Sequence, residues 1–394
     1  MFIGEIIKKC FKVNSTPDET AMNRFDKWEK RKVLLLPVFR FGRYLNSITV
    51  RTLEIYSRIS GRDFNFVINV DSETYQDADE YFKSKLENLE VVVGCAGGSL
   101  LDLTRGFMNT LRVAYGCDLL LNCSEYYLSL LYSYLIHLLT GRKLVCIVNI
   151  IHSGMRNRRS LERLVCSFVL KRSFGIIMLN NESLINEFKQ LFPTNRKIAL
   201  TTNGVSVSDF YSSNEKSNDL LFIGIAEERK GTFELPEIVE RIRISNPGVR
   251  MKIMSRSGDL EKLHRLVKTK GLEGNIEIVT EYVNEDKKRE LYARSRVFVF
   301  PSKEEGIAIV IAEALASSLP VVLFDVESLK IFSKGTLKVK EGDIDGFSSA
   351  VTKLLEDDDL RLQIGLEGRQ FALDYLSYDR VALIENEAIK TCVH

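Results

Sequence analysis

The stretch VFVFPSKEEGIAIVIAEALASSLPVV (297–322) predicts a strand, a polar loop, a helix and a second strand, in that order. The β-branched and aromatic run that ends at Pro301 is typical of a buried parallel strand. From about Gly306 to Ala316 every residue but Glu313 is a glycine or apolar, as expected for a buried helix. This order is one βαβ unit of an open parallel sheet, and such sheets bind ligands beyond the carboxyl ends of their strands.

Two carboxylates stand at the ends of the apolar run 306–312. Glu305 stands at the carboxyl edge of the first strand, and Glu313 follows about two helical turns later, ~12 Å along the axis. Burying a carboxylate without partners costs several kcal/mol, so both acids need hydrogen-bond donors. The amides of a helix that begins near Gly306 form an anion site beside Glu305. The pattern therefore predicts a ligand of nucleotide-sugar type along the helix, whose hydroxyl groups bind the two acids.

The same alternation of strand and helix runs through both halves of the chain, on either side of a polar stretch at residues 201–218. The predicted strands are 32–38, 64–70, 90–94, 118–122, 143–150 and 175–179 in the first half, and 220–225, 251–254, 276–279, 297–300, 320–324 and 337–340 in the second. We therefore predict an α/β fold of two Rossmann-like domains facing a cleft. The first covers 1–204 and is completed by a last helix, 378–394, that crosses back, and the second covers 205–377.

Composition bounds the class of protein. The 394 residues are 45% hydrophobic and 27% charged, which is typical of soluble globular domains, and the net charge of +2 provides no field for nucleic acid. Seven cysteines without a CxxC pair and four histidines outside metal-ligand spacings favour a reduced cytoplasmic protein without a metal site or cofactor. The start of the chain does not resemble a signal peptide, and the apolar run 126–139 is too short to span a bilayer, so we predict a buried helix there.

The spacing of Glu305 and Glu313 resembles the E-x7-E signature of the retaining glycosyltransferases of family 4, the group-1 glycosyl transferases with the GT-B fold. The resemblance implies that Glu305 meets hydroxyls of the donor sugar and that Glu313 holds the ribose, beside the backbone of Gly306, Ile307 and Ala308. It also implies a retaining, metal-independent transfer of a hexosyl unit. The donor would be a nucleotide diphosphate sugar, UDP- or GDP-linked, and the acceptor a hydroxyl group.

A second segment, FIGIAEERKG (222–231), resembles the family's loop that holds the donor phosphates. The family's lysine and two glycines fall on Lys230, Gly224 and Gly231. The family's arginine falls on Ile225, although a departing diphosphate requires charge-assisted hydrogen bonds. Either Arg229 or Arg256 replaces it, or the activity is reduced or lost.

Weaker matches extend the resemblance toward the amino end. VNIIHSG (148–154) resembles the family segment whose histidine lines the pocket between donor and acceptor, which implies a role for His152 together with Lys230 and Glu305. PVFRFGRY (37–44) occupies the place of the family's glycine-rich first loop, where only Gly42 is retained. TTNGVSVSDF (201–210) resembles the linker between the two domains.

Basic residues bear on the acceptor. Arg156, Arg158 and Arg159 follow His152 near the expected mouth of the cleft, and residues 2–12 place an apolar stripe opposite three lysines. Together they predict a glycan or lipid-linked acceptor and peripheral attachment to the inner face of the membrane. A helix docked on the first domain is the alternative for the N-terminal segment.

Other functions stay open at this point. A nucleotide-sugar epimerase or hydrolase would use the same two-domain plan, and a non-catalytic subunit that binds nucleotide sugar would tolerate Ile225. The Asp-x-Asp at Asp343 and Asp345 is found in metal–diphosphate sites, but its position before a surface helix favours helix capping.

Overall fold

The computed structural model describes residues 31–39, 47–71, 80–94, 100–124, 126–149, 160–179, 182–306 and 308–393. A first parallel sheet has the strand order β3-β2-β1-β4-β5-β6-β7. Its strands are β1 (Arg31–Phe39), β2 (Phe64–Asp71), β3 (Glu90–Gly94), β4 (Leu119–Asn122), β5 (Lys143–Asn149), β6 (Gly175–Leu179) and β7 (Lys197–Thr201).

A second parallel sheet has the order β10-β9-β8-β11-β12-β13. Its strands are β8 (Asn218–Ile223), β9 (Met251–Met254), β10 (Ile276–Val279), β11 (Ser295–Phe300), β12 (Val321–Phe324) and β13 (Thr336–Val339). Every residue of β12 is buried, and so are the last four residues of β11. Such continuous apolar runs follow from a sheet that is covered by helices on both faces.

Helices connect most of the successive strands and form the outer layers. Those of the first half are α1 (Ser47–Ile59), α2 (Glu80–Leu86), α3 (Leu100–Tyr115), α4 (Tyr127–Thr140), α5 (Ser160–Arg172) and α6 (Ile185–Leu191). The remainder are α7 (Leu235–Ser245), α8 (Leu260–Thr269), α9 (Glu285–Ala293), α10 (Ile309–Ala316), α11 (Ile344–Glu356), α12 (Asp358–Phe371) and α13 (Tyr378–Val393).

The last helix returns to the first sheet. A π-helical turn, Ala372–Leu376, follows α12, and an isolated bridge joins Val205 to Ser377 before α13 begins. The helix then packs against α1, β6 and β7. Gly204 lies where the chain leaves the first sheet, and a Cβ there would approach the Tyr378 ring to 2.4 Å, so a larger residue would push the returning helix away.

The predicted α/β architecture and the returning helix are confirmed, and three details of the sequence analysis are wrong. Strand β7 was not predicted, because it is short and begins with an exposed residue and a half-buried one. Helix α10 begins at Ile309 and not near Gly306. The run 126–139 does form helix α4, but one side of that helix is exposed rather than buried.

Candidate functional site

Two loops at the carboxyl edge of the second sheet pack directly on each other. One follows β8 and ends in a single 3-10 turn, Glu228–Lys230, and the other follows β11. The backbone N–H of Lys303 donates to the carbonyl of Arg229 over 2.8 Å, and the Ser302 side-chain oxygen lies 3.1 Å from the same carbonyl oxygen. These contacts hold Lys230, the next residue, against the loop that carries Glu305.

Gly231 makes this close approach of the loops possible. Its φ is +65°, and a Cβ at this position would lie 1.8 Å from the carbonyl oxygen of Pro301. A side chain therefore meets both an unfavourable left-handed backbone and a direct clash with the neighbouring loop.

The Gly231→Ala variant is expected to lose at least ~2 kcal/mol of unfolding free energy, because the left-handed penalty of ~1 kcal/mol adds to the displacement of the loop after β11. Gly271→Ala is the matched control, since Gly271 has a φ of +60° and open space around its Cβ position. That variant should lose only the backbone contribution. Urea denaturation of the two variants measures the difference, and equal losses would contradict the close contact with Pro301.

Glu305 is buried at the junction of the two loops. Its Oε1 accepts a hydrogen bond from the Ser302 hydroxyl over 2.7 Å and forms an ion pair with the Lys230 ammonium over 2.5 Å. The structure thus brings together Lys230 and Glu305, which are far apart in sequence. An ammonium has three donors, so two N–H groups of Lys230 remain for further acceptors such as phosphate oxygens.

Glu313 is also buried, on the side of α10 that faces α9. The Lys288 ammonium binds its Oε1 and the Tyr292 hydroxyl binds its Oε2, each over 2.8 Å. Burial raises the pKa of Tyr292 well above its usual value, and the charge of Glu313 raises it further. For Lys288, burial opposes the charged form, but the carboxylates of Glu313 and Glu285 hold the pKa above its ordinary value.

These contacts correct the physical argument that a bound sugar or ribose must supply the donors for the two acids. Each carboxylate has a lysine and a hydroxyl of the protein as partners. Neither acid therefore requires a ligand to be stable in the folded chain, and a ligand hydroxyl would add to existing bonds or replace one. The sequence analysis missed Ser302, Lys288 and Tyr292. The i,i+4 spacing of Lys288 and Tyr292 predicts that they share one face of α9, but it does not predict that this face contacts Glu313.

The replacements considered for the missing arginine lie in different surroundings. Ile225 is one-third exposed at the end of β8. The Arg229 Nε pairs with the Glu227 carboxylate over 2.7 Å, and the Arg256 guanidinium stacks 5.3 Å from the centre of the Tyr282 ring. Lys230 is thus the cation that contacts Glu305, while Arg229 and Arg256 are held by partners of their own.

Several predicted residues fall outside the described ranges, namely Gly42, His152, Arg156, Arg158, Arg159, Ile307 and the stripe at residues 2–12. The neighbours of Ile307 are described: Gly306 follows Glu305 directly, and Ala308 is the N-cap of α10. An alanine offers no side-chain acceptor, so the first-turn amides of α10 are not capped by its side chain.

Metal ligation finds no support in the described ranges, where no three His, Cys, Asp or Glu side chains form a group that could hold an ion. Asp343 caps α11 by accepting the Gly346 N–H over 2.8 Å, as predicted, and Asp345 pairs with Arg241 over 2.5 Å. The described cysteines are free and buried, and burial raises the pKa of Cys117 to about 11 and that of Cys146 to about 12. These thiols are therefore poor nucleophiles at neutral pH.

Residues 208–371, which extend from just before β8 to the end of α12, match the family described as glycosyl transferases group 1. This segment, which is similar to group-1 glycosyl transferase domains, contains both glutamates and Lys230. The whole chain resembles Anabaena HepE in complex with UDP and glucose, with a TM-score of 0.71 over 91% of this chain and 99% of that one. At 16% identity this likeness shows the fold, which is of the GT-B type.

Two curated relatives match parts of this chain. The lipopolysaccharide core biosynthesis glycosyltransferase LpsE of Rhizobium meliloti is 28% identical over 165 residues, which are 41% of this chain and 46% of that protein. The O-antigen chain mannosyltransferase B of Escherichia coli is 31% identical over 144 residues, 36% of this chain and 38% of that protein. The chain therefore spans less than half the length of these relatives.

Proposed function

We propose that the chain is a retaining glycosyltransferase that moves a hexosyl unit from a UDP- or GDP-linked sugar to a hydroxyl group of a growing glycan or a lipid-linked acceptor. The contact between Lys230 and Glu305 carries this proposal, because it joins the two family loops at the carboxyl edge of the second sheet. The names of the relatives, which concern lipopolysaccharide core and O-antigen chains, favour a glycan acceptor.

Charge stabilisation of the leaving diphosphate is the main contribution we assign to the protein. The two free N–H groups of Lys230 and the uncapped amides at the start of α10 would bind phosphate oxygens as negative charge develops there. We propose that no resident metal or cofactor takes part. Glu305 already neutralises much of the charge of Lys230. The isoleucine at position 225, where the family has an arginine, therefore leaves less positive charge for the diphosphate than it would if Lys230 had no acidic partner.

Positioning is the second contribution. We propose that Glu305 accepts a hydrogen bond from a hydroxyl of the donor sugar, and that Glu313 does the same for the ribose. The leaving phosphate would take the proton of the acceptor hydroxyl on the face from which it departs, so that no enzyme nucleophile is required and the anomeric configuration is retained. His152 is proposed to line the same pocket from the first domain, and closure of the domains would exclude water.

Product analysis tests this function. The full chain is incubated with isotopically labelled UDP- and GDP-hexoses and an acceptor extract of lipids and glycans, and the acceptor fraction is analysed by mass spectrometry and proton NMR. We expect label in that fraction, in the anomeric configuration of the donor. Label found only in free sugar would indicate a hydrolase, and label in an altered nucleotide sugar would indicate an epimerase.

Replacing Glu313 with alanine is expected to raise the KM for the donor ~10- to 100-fold while kcat changes little, because hydrogen bonds to a charged group contribute ~1.5–3 kcal/mol. Tyr292→Phe is the control. It removes a hydroxyl that contacts Glu313 but keeps the carboxylate and Lys288, so its KM should stay within ~3-fold of the wild type. Steady-state kinetics over a range of donor concentrations give both constants, and an unchanged KM in the alanine variant would remove Glu313 from the site.

Binding without transfer is the second candidate function, and Ile225 in place of the family's arginine favours it. Calorimetric titration that shows donor binding, together with no labelled acceptor in the experiment above, would establish it. Peripheral attachment to a membrane through residues 2–12 and the arginines after His152 also stays a prediction. Within the described ranges, no helix combines the length and the apolar character needed to cross a bilayer.

A further inference from the structure

Helix α4 buries two serines beside Leu130, Tyr134 and Ile136, and it exposes four of its leucines. It contains no Asp, Glu, Lys or Arg. On its inner side, the hydroxyls of Ser129 and Ser133 donate to the buried Asn122 Oδ1 over 2.8 and 3.0 Å. Its outward leucines are between 42% and 58% exposed: Leu128, Leu135, Leu138 and Leu139. A surface helix normally exposes polar and charged residues, so these exposed leucines require an explanation.

The neighbouring helix α5 extends the same apolar surface. Its exposed stripe, between 44% and 70% exposed, consists of Leu161, Leu164 and Phe168 at spacings of three and four. The Phe168 ring meets the Tyr134 ring of α4 edge-on, with centroids 5.3 Å apart, so the two helices form one continuous surface. We call the four leucines of α4 and these three residues of α5 the α4–α5 face.

The charges that α4 and α5 carry are mainly positive. Helix α5 carries Arg163, Lys171 and Arg172, and the one acidic residue of α4 and α5 is Glu162. The Arg172 guanidinium lies 3.8 Å from the centre of the Phe168 ring, at the edge of the apolar surface. Basic residues around exposed leucines and a phenylalanine are typical of surfaces that lie in the interface of anionic membranes.

A second copy of the chain fits this face less well. A two-fold dimer places the same patch of both subunits together, so the basic residues of one copy would meet those of the other. Anionic lipid headgroups instead complement the basic residues while the leucines enter the boundary with the acyl chains.

We propose that the α4–α5 face docks on the surface of an anionic bilayer. The surface lies on helices that flank the first sheet, whereas the loops that carry Lys230 and Glu305 follow strands of the second sheet. The purpose of docking rests on the proposed function, because docking would bring the first domain to a lipid-linked acceptor. Docking itself does not require transfer.

Vesicle co-sedimentation of the full chain tests the proposal, with phosphatidylcholine vesicles that contain or lack phosphatidylglycerol. The double variant Leu135→Glu/Leu164→Glu should lower the partition coefficient onto the anionic vesicles at least ~10-fold, since it removes two apolar contacts and adds two repelled charges. The matched control is Leu362→Glu/Leu366→Glu on α12, where both leucines are 60% or more exposed. This control should bind vesicles as the wild type does.

Equal binding by the wild type and the Leu135/Leu164 variant would overturn the proposal, and so would wild-type binding that does not require phosphatidylglycerol. A wild-type dimer in sedimentation velocity that this variant converts to monomer would also overturn it, since a second copy would then cover the face. Nucleotide-sugar binding is measured on the same samples without vesicles. If the wild type binds no nucleotide sugar, the proposed function is contradicted and the docking result is unaffected. If the Leu135/Leu164 variant loses vesicle binding but still binds nucleotide sugar, the result supports the docking surface alone.

Discussion

Lys230→Ala is expected to lower kcat by ~100- to 1000-fold, with a much smaller change in the donor KM. This is the size of effect found when a donor aimed at developing negative charge is removed. In the folded chain the ion pair with Glu305 already positions the Lys230 ammonium, so this cation needs no rearrangement before the diphosphate departs. The measurement is steady-state transfer of labelled hexose at saturating donor. An unchanged kcat would show that the leaving group is stabilised elsewhere.

Loss of Lys230 also leaves the buried Glu305 carboxylate without its cation, which destabilises a protein by ~3–5 kcal/mol. The double variant Lys230→Ala/Glu305→Gln, compared with Glu305→Gln alone, separates this effect from catalysis, because a neutral amide at position 305 still accepts the Ser302 hydroxyl. We expect the double variant to regain most of the lost unfolding free energy but none of the lost turnover. Recovery of turnover along with stability would mean that the lysine only supports the fold.

The second large effect concerns the buried anchor of α13. The Glu385 side chain is fully buried, forms an ion pair with Arg51 of α1, and accepts hydrogen bonds from the Tyr56 hydroxyl and, over 3.0 Å, from the Thr201 hydroxyl. Glu385→Ala leaves the Arg51 charge buried and unpaired. We expect it to lower the free energy of unfolding by ~3–5 kcal/mol, as measured by urea denaturation.

Glu387→Ala is the matched control for this anchor. Glu387 lies on the same helix, is mainly exposed, and pairs with Lys390 one turn away over 2.8 Å. Exposed pairs of this kind contribute ~0.5 kcal/mol or less, so the control should unfold nearly as the wild type does. A similar loss in both variants would mean that the Arg51–Glu385 pair does not hold the last helix to the first sheet.

Much of the fold was predictable because it depends on patterns that local sequence carries. Buried parallel strands appear as runs such as VVLF at 321–324, and these could be located to within two residues. Strand β7 was missed because it is a short edge strand with only two buried residues, so its apolar run is weak. The start of α10 was misplaced because Gly306, Ile307 and Ala308 are apolar and therefore do not distinguish a buried loop from a buried helix.

The candidate site was predictable only in part, because sequence indicates which residues are unusual but not which ones meet. Glu305, Glu313 and Lys230 stood out, and the contact of Lys230 with Glu305 follows from two adjacent strands, β8 and β11. The partners of Glu313 could not be predicted, since the positions of Lys288 and Tyr292 depend on how α9 packs against α10. The exposed side of α4 was missed because leucines that face water and leucines that face a core look the same in a sequence.

Amide hydrogen exchange of the full chain, with and without UDP-, GDP-, ADP- or dTDP-linked hexoses, tests most directly whether the two loops of the second domain bind the donor. We predict slower exchange in residues 224–231 and 301–313 with at least one of these sugars, because a bound diphosphate would hold both loops closed. Protection confined to other segments, or absent with all four donors, would contradict the assignment of Lys230, Glu305 and Glu313 to a donor site.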